Sequence, residues 1–175
     1  MPIDNKLKFV PINIAIITIS DSRTTENDLS GNLLENRIIG LGHKLSLRKI
    51  IPDDVEIIKK TLLELSIQKE IDCIITTGGT GLTGRDTTPE AIETISNKLI
   101  IGFGELFRQI SYDKIGTSAI QSRAIAALIN TTYVFCLPGS KNACKDAWDE
   151  ILKYQLDIRH LPCNFIEIMP RLNEE

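Results

Sequence analysis

The stretch TTGGTGLTGRDTTPEA, residues 76–91, combines residue types that handle phosphate. Four glycines fall within residues 78–84, and glycine lets the main chain approach a phosphate closely. Asp86 follows these glycines, and Asp53 follows an earlier strand-like run. A bare carboxylate repels phosphate, so a cation must lie between them, and Mg²⁺ takes one or two carboxylates together with phosphate oxygens. The loop therefore predicts a phosphate cradle, and the two aspartates predict a metal-assisted phosphoryl-transfer site.

The glycine loop has three other interpretations. Residues 79–84 match GxGxxG, which alone is a weak indicator of a nicotinamide or flavin oxidoreductase. In that fingerprint the helix opens directly after the glycines, whereas here Arg85 and Asp86 come first. A P-loop would require Gly-Lys-Ser/Thr, which does not follow. The third interpretation is a flexible turn, although a turn needs fewer glycines than this loop contains.

Several candidate residues also have a purely structural interpretation. Asp53 has the spacing of an N-cap for the helix that follows it, and Asp86 could form a surface ion pair with Arg85. Ser140 could cap the last helix, or the N-terminus of that helix could bind an anion. Arg123 could face a phosphate or only solvent. The sequence leaves these alternatives open.

The elements that must position these residues follow from hydrophobic spacing. The predicted strands are 13–20, 44–51, 72–77, 124–129 and 132–138. Helical spacing predicts a helix after each of the first three strands, one at 102–111 and a long one from Ser140. Thr88 is predicted to cap the third helix, with Pro89 in its first turn. This alternation predicts an α/β fold whose sheet is mainly parallel with one antiparallel strand, because the last two strands form a hairpin.

The carboxyl ends of parallel strands predict where a ligand binds. Ser20-Asp21-Ser22 follows the first strand, although this segment could also be only a turn. Asp53-Asp54 follows the second strand, the glycine loop with Asp86 follows the third, and Pro138-Gly139-Ser140 follows the last. We expect these four segments to share one edge of the sheet.

The composition excludes several classes of function. The 175 residues are 42% hydrophobic and 25% charged, which is typical of one globular domain. The net charge of −3 gives no reason to expect a nucleic-acid partner, and no apolar run approaches the roughly 20 residues that span a bilayer. The N-terminus lacks a signal-peptide pattern, so the expected compartment is the cytoplasm. The four cysteines have no CxxC spacing, and a zinc site is not expected; Cys73 and Cys136 are predicted to be core residues.

The run TTGGTG-x-x-x-RD-x-TPEA, residues 76–91, resembles the glycine motif of the MogA/MoaB family, which binds molybdopterin in molybdenum-cofactor biosynthesis. Further matches follow in order along nearly the whole chain. They are Ser20-Asp21-Ser22, Pro52-Asp53-Asp54, Gly102-Phe103-Gly104-Glu105, Ser122-Arg123 and Leu137-Pro138-Gly139-Ser140. The C-terminal half, with GTSAIQSRA, LPGSKNACKDAWDEIL and RHLPCNF, is similar to the MoaB branch.

The resemblance implies a fold and an activity. The fold is a three-layer α/β/α sandwich, the molybdopterin-binding MogA-like fold, which assembles as homotrimers or, in the MoaB branch, homohexamers. We expect a single domain over residues 1–175, with residues 1–11 and 166–175 as peripheral arms. The implied activity is adenylylation of molybdopterin: its terminal phosphate attacks the α-phosphorus of ATP, and pyrophosphate leaves. Molybdopterin and ATP are thus the substrates, Mg²⁺ enters with ATP, and a downstream molybdenum-insertion protein is an expected partner.

The same resemblance assigns roles to individual residues. Asp53 and Asp86 are the essential acidic pair, which binds Mg²⁺ or orients the phosphates. Pro138, Gly139 and Ser140 help to form the molybdopterin pocket. The remaining matched residues are candidates for binding nucleotide or pterin. They are Ser20, Asp21, Gly78, Gly79, Thr80, Gly81, Arg85, Thr88, Glu90, Glu105, Ser122 and Arg123.

The MoaB branch leaves two functions open. Some MoaB proteins resemble the family in fold, lack the Arg-Asp pair of the glycine loop and are regarded as inactive. This chain keeps Arg85-Asp86 and Thr88-Pro89-Glu90, which favours an active adenylyltransferase. A non-catalytic molybdopterin-binding carrier or regulatory protein would share every binding feature, so it is the alternative.

Overall fold

The computed structural model describes residues 3–174, in which a six-stranded sheet lies between two layers of helices. The strands are β1 (Asn13–Ile19), β2 (Lys44–Ile51), β3 (Cys73–Thr77), β4 (Lys98–Leu99), β5 (Ile125–Ile129) and β6 (Thr132–Leu137). The helices are α1 (Leu29–Leu41), α2 (Val55–Ser66), α3 (Thr88–Ile95), α4 (Ile101–Ile115), α5 (Lys141–Ala147), α6 (Lys153–Gln155) and α7 (Phe165–Ile168). Two 3₁₀ segments, Gly116–Gln121 and Met169–Arg171, and a π-helical segment, Trp148–Leu152, complete the elements.

The strand order is β2-β1-β3-β6-β5-β4. β1, β2, β3 and β6 run parallel, and β5 is antiparallel to both of its neighbours. The prediction of a mainly parallel sheet with one reversed strand is therefore confirmed. The sequence analysis missed β4, because its two residues are both exposed and carry no hydrophobic pattern.

The side chains of each strand alternate between two cores, one on each face of the sheet. In β1, Ile14 and Ile16 join a core that includes Leu34 of α1 and residues of α4 and α5. Ile17 joins a second core with Ile58 of α2 and residues of α3. Both faces of the sheet are thus covered by helices, which confirms the α/β/α sandwich.

The register of the parallel strands aligns their carboxyl ends. Ile19 of β1 pairs with Ile51 of β2, and Thr18 pairs with Thr77 of β3. Thr77 in turn pairs with Leu137 of β6. The four segments that follow these strands therefore begin at one edge of the sheet, as the sequence predicted.

The start of α2 differs from the prediction. Asp54, not Asp53, is the N-cap, and its Oδ1 accepts hydrogen bonds from the amides of Glu56 and Ile57, each at 3.0 Å. The amide of Asp53 donates instead to Oδ1 of Asp21, at 3.1 Å. The prediction of Asp53 as the cap was wrong, because the chain enters the helix one residue later. The Asp53 carboxylate is thereby left available to the sheet edge.

The start of α3 also lies one residue away from the predicted position. Thr88 is the first helical residue, and Thr87 occupies the N-cap position without a side-chain capping bond. The hydroxyl of Thr88 instead donates to the carbonyl of Gly78, at 3.1 Å. Thr88 therefore connects the helix to the glycine loop and does not cap the helix.

The C-terminal helices are longer or less regular than predicted. α4 spans Ile101–Ile115, beyond the predicted 102–111. Ser140 is the N-cap of α5, with its hydroxyl accepting from the amide of Ala143 at 3.2 Å, so the capping interpretation is confirmed. The predicted long helix continues through the π-helical segment, where Trp148 is buried in the core.

The core contains the two cysteines that the sequence predicted there. Cys73 and Cys136 are fully buried core residues. Within residues 3–174, none of the helices combines the length and apolar character needed to cross a membrane.

Asp28 is a fully buried carboxylate that connects β1, β2 and α1. It caps α1 by accepting from the amide of Gly31 at 2.9 Å, and it accepts from the hydroxyl of Thr18 at 2.7 Å. It also has two charged neighbours: Arg48 at 3.0 Å and Arg23 at 3.5 Å. Burial raises the pKa of Asp28, but the hydrogen bonds from Gly31, Thr18 and Arg48 outweigh it and hold the pKa below its usual value.

We expect Asp28→Asn to lower the free energy of unfolding by about 2 kcal/mol, because asparagine still caps the helix but Arg48 loses one of its two carboxylate partners. Arg48 keeps the other, Glu35, at 2.7 Å. Urea denaturation at pH 7 measures this loss. Since the folded pKa is depressed, the stabilisation is present above the unfolded pKa of about 4 and is lost as the pH falls below it. Asp149→Asn is the control: its ion pair with Arg37 is partly exposed, so the cost is less than about 1 kcal/mol. Equal losses in the two variants would contradict the role of Asp28.

Candidate active site

A cavity of about 410 Å³ lies at the carboxyl edge of the parallel strands. Its lining comes from the four segments that follow β1, β2, β3 and β6. The lining residues are Ile19, Ser20, Asp21, Ser22, Arg23, Asp53, Gly78, Gly79, Thr80, Gly81, Asp86 and Gly139. The structure therefore brings the predicted acidic pair, Asp53 and Asp86, to one cavity with the glycine loop.

A larger groove, of about 700 Å³, lies elsewhere, along β4 and the C-terminal segment. Its lining includes Lys98, Tyr133 and Phe165, and its acidic member Glu174 is paired with Arg171. Neither the glycine loop nor the acidic pair contributes to this groove. The smaller cavity is therefore the candidate active site.

Gly78 and Gly79 form the wall of the cavity with their main chain. Both have positive φ values, 109° and 63°, which favour glycine. A Cβ on Gly78 would collide with the carbonyl of Ile19, and one on Gly79 would collide with the hydroxyl of Thr88 and lie 3.0 Å from the Asp53 carboxylate. Because neither residue has a side chain, their main chain itself forms this part of the cavity wall.

Asp53 is a half-buried carboxylate beside Gly79. The hydroxyl of Thr87 donates to it at 3.4 Å. Burial raises its pKa, and the negative charges of Asp86 and Asp21 raise it further. A cation bound beside Asp53 would remove this penalty, so the electrostatics of the cavity favour a positive ion at this carboxylate.

Asp86 has the opposite environment. Its Oδ2 accepts from the hydroxyl of Thr83 at 2.6 Å and from the amide of Thr83 at 3.0 Å. The hydrogen bond from the Thr83 side chain lowers the pKa of Asp86 below its usual value. A Cβ on Gly81 would lie 2.6 Å from this carboxylate, so glycine at that position makes room for it. The local turn thus keeps Asp86 ionised and fixed.

Arg85 and Asp21 form an ion pair at the exposed rim, with 2.6 Å between Nη2 and Oδ2. The hydrogen bond from Arg85 lowers the pKa of Asp21. Arg85 therefore pairs with Asp21, and the surface ion pair with Asp86 that the sequence left open does not form. The rim pair joins the segment after β1 to the glycine loop.

Arg23 is a cavity-lining residue that the sequence analysis missed. Its Nη2 donates to the carbonyl of Gly139 at 2.5 Å, and Asp28 holds its other end from the interior. The hydroxyl of Ser30 donates to the same carbonyl, at 2.7 Å. Arg23 adds a positive charge to the lining of the cavity. Asp28 carries an N-cap signal before Leu29, but no local pattern marks Arg23.

Eight of the predicted site residues do not line the cavity. They are Arg85, Thr88, Glu90, Glu105, Ser122, Arg123, Pro138 and Ser140. The carbonyl of Pro138 accepts from the hydroxyl of Thr77 at 3.0 Å, which fixes the end of β6 against β3. Ser140 caps α5, and Glu105 is exposed on α4. The Ser122 hydroxyl is buried and has no hydrogen-bond partner in the described part of the chain.

Arg123 lies behind the glycine loop. Its Nε donates to the carbonyl of Thr80 at 3.3 Å, and its Nη2 donates to the carbonyl of Asp86 at 2.6 Å. Its Nη1 pairs with Glu90 of α3. All three guanidinium nitrogens are thus bound to protein acceptors.

The part of the chain that forms this cavity matches a known protein family. A family described as "Probable molybdopterin binding domain" matches residues 15–158. The chain belongs to this molybdopterin-binding domain family. The match includes every segment that lines the cavity.

Curated relatives of this molybdopterin-binding domain carry a common name. Molybdenum cofactor biosynthesis protein B of Escherichia coli K12 is 40% identical over 158 residues, which is 90% of this chain and 93% of the relative. The protein of the same name from Bacillus cereus is 43% identical over 146 residues, covering 83% and 86% of the two chains.

Solved structures show the same fold. A crystal structure of molybdenum cofactor biosynthesis protein B aligns with a TM-score of 0.85 and 39% identity, covering 95% of this chain and 98% of that chain. The tungsten cofactor synthesizing protein MoaB from Pyrococcus furiosus aligns with a TM-score of 0.73 and 35% identity, covering 81% and 91%. The predicted MogA-like fold is therefore confirmed.

The donor set of this molybdopterin-binding domain fits a Mg²⁺ ion that arrives with a substrate. Within residues 3–174, no group of three or more His, Cys, Asp or Glu side chains is placed to hold a metal ion. Two carboxylates, Asp53 and Asp86, line the cavity. Mg²⁺ commonly takes one or two carboxylates and completes its coordination with substrate phosphates and water. The two aspartates would hold such an ion only together with phosphate.

We expect Gly81→Ala to raise the pKa of Asp86 toward its usual value, because the added methyl group displaces the carboxylate from Thr83. Carboxyl-carbon NMR titration measures this pKa and, in the unaltered protein, should place Asp53 above the usual value and Asp86 below it. Gly84→Ala is the matched control in the same loop: a Cβ there meets nothing within 4 Å. An unchanged Asp86 titration in Gly81→Ala would show that the hydrogen bonds to Thr83 do not depend on this glycine.

Proposed function

We propose that this chain catalyses the Mg-ATP-dependent adenylylation of molybdopterin, as a step of molybdenum cofactor biosynthesis. The observation that carries the proposal is that Asp53 and Asp86 face one cavity whose wall is the main chain of residues 78–81. Membership of the molybdopterin-binding family supports molybdopterin as the substrate. The name shared by its relatives supports the biosynthetic role.

The proposed reaction forms one phosphorus–oxygen bond at the α-phosphorus of ATP and breaks another. An oxygen of the terminal phosphate of molybdopterin attacks the α-phosphorus of ATP, the bond from that phosphorus to pyrophosphate breaks, and pyrophosphate leaves with the electron pair. A phosphate oxygen is already an anion and needs no general base. The cavity fits this demand, because its lining holds carboxylates, an arginine and glycines, and neither His43 nor His160 contributes to it.

The chain's own residues would mainly position the reacting phosphates and neutralise their charge, as phosphoryl transfer requires. The amide of Gly78 is already bound to the carbonyl of Leu137, so the amides of Gly79 and Thr80 would receive phosphate oxygens. Arg23 would balance the phosphate charge. Asp86, held by Thr83, would fix the position of the cation. Bound Mg²⁺ supplies neutralisation of the charge on the phosphates. Asp53 would contribute its carboxylate when the cation offsets the charges of Asp86 and Asp21.

Assembly as a homotrimer or homohexamer belongs to the same proposal, as does transfer of the product to a molybdenum-insertion protein. Size-exclusion chromatography with light scattering distinguishes the two assemblies.

We expect Asp86→Asn to lower molybdopterin-dependent pyrophosphate release from Mg-ATP by at least about 100-fold, the usual effect of removing a group that stabilises charge in the transition state. Asp53→Asn should have a similar effect. Molybdopterin affinity, measured by calorimetry, should change by less than about fivefold, since the glycine wall is intact. Asp54→Asn is the matched control, because asparagine still caps α2 and residue 54 does not line the cavity.

Two outcomes would contradict the proposal. Undiminished pyrophosphate release by Asp86→Asn would remove the aspartate from the reaction. Tight molybdopterin binding by the unaltered protein without any pyrophosphate release, under conditions where an active adenylyltransferase turns over, would identify a non-catalytic carrier.

A further inference from the structure

Arg123 connects the two ends of the exposed part of the glycine loop. Thr80 and Asp86, whose carbonyls it binds at 3.3 Å and 2.6 Å, enclose the exposed residues 82–85. Arg123 itself comes from a distant segment, between the 3₁₀ turn Gly116–Gln121 and β5. One guanidinium thus closes a loop whose tip is otherwise held by its own turn and by the exposed ion pair of Arg85 with Asp21.

Every guanidinium nitrogen of Arg123 already donates to a protein acceptor. Nε and Nη2 are bound to the two loop carbonyls, and Nη1 is paired with Glu90. Glu90 lies in the first turn of α3, so the direction of the guanidinium is fixed from a third element. The side chain of Arg123 does not line the cavity. An arginine that binds phosphate in a site would instead direct its guanidinium nitrogens into the cavity.

Inside the loop, the position of the Asp86 carboxylate depends on the same residues. Its Oδ2 is bound to Thr83, and its own amide donates to the carbonyl of Thr83 at 3.1 Å. Thr83 is exposed, so water competes for this small turn. Arg123 fixes the carbonyl of Asp86 from outside the loop, while Thr83 fixes its side chain from inside.

We propose that Arg123 is a positioning residue that holds residues 80–86 in the conformation that presents Asp86 to the cavity, with Glu90 orienting its guanidinium. Its consequence for catalysis rests on the proposed adenylyltransferase function, whereas its effect on the loop does not. Lysine cannot replace it, because a single ammonium group cannot reach two carbonyls and a carboxylate in the planar arrangement that arginine offers. If Arg123 served only as a positive charge for phosphate, lysine would preserve most of its effect.

Arg123→Lys tests the proposal through hydrogen exchange of the Thr83 amide, measured by NMR without ATP or molybdopterin. We expect exchange to accelerate by about tenfold or more, because the turn opens more often once the hydrogen bonds from Arg123 to the carbonyls of Thr80 and Asp86 are lost. Arg108→Lys is the matched control: Arg108 donates to one carbonyl near the same segment, that of Ala124, and should leave Thr83 exchange unchanged. Unchanged Thr83 exchange in Arg123→Lys would overturn the proposal, whatever the chain catalyses.

A second readout separates positioning from binding. In the pyrophosphate-release assay, Arg123→Lys should lower kcat by about tenfold or more, because a displaced Asp86 costs transition-state stabilisation, while KM for ATP changes by less than about twofold. A raised KM with unchanged kcat would instead make Arg123 a substrate-binding residue and overturn the proposal.

If Arg123→Lys does not fold, Glu90→Gln carries the test, since it loosens the guanidinium and should also accelerate Thr83 exchange. Failure of catalysis in the unaltered protein would reject the adenylyltransferase alone, because the exchange measurement would still report on the loop.

Discussion

The close packing of three strand ends at Gly78 is the constraint on which the rest of the site depends. Its amide donates to the carbonyl of Leu137 at 3.1 Å, and a side chain at this position would occupy the place of the Ile19 carbonyl. A Cβ on Gly139 would already touch the Cα of Gly78, at 3.4 Å. Because residue 78 has no side chain, β1, β3 and β6 can end at one level. The loops that follow these strands consequently face a common space and not three separate surfaces.

The charges around this space are of both signs, which fits the proposed phosphate ligand with its cation. Three carboxylates, Asp21, Asp53 and Asp86, oppose a free phosphate, while Arg23 and Arg85 oppose a free cation. A phosphate with its cation satisfies both sets of groups. The buried Asp28 extends this arrangement into the core, because it holds Arg23 from behind and also caps α1. The electrostatics of the site and the packing of the sheet are therefore parts of one network.

The sequence could predict the sheet edge but not the details that decide each role. Apolar β-branched runs and their breaks placed Asp53 and Asp86 after two strands at one edge of a parallel sheet. The expectation that these two strands are neighbours was wrong, because β1 lies between β2 and β3. Which of two neighbouring aspartates caps α2 could not be read, since both are good caps and the choice depends on a contact between Asp53 and Asp21 across the fold. The contacts of Arg123 could not be read either, because its acceptors are main-chain carbonyls of distant residues. Every residue has such a carbonyl, so the sequence does not mark the ones that Arg123 binds.

The position of β6 in the sheet has a consequence for how the chain is made. β6 lies between β3 and β5, although it is the last strand to be synthesised. Until it is inserted, one edge of β3, whose five residues are all buried in the finished protein, has no partner. An unpaired apolar edge of this kind attracts other nascent chains. The insertion that brings Gly139 to the cavity thus also pairs the open edge of β3, so completion of the site and protection of this edge occur in one folding step.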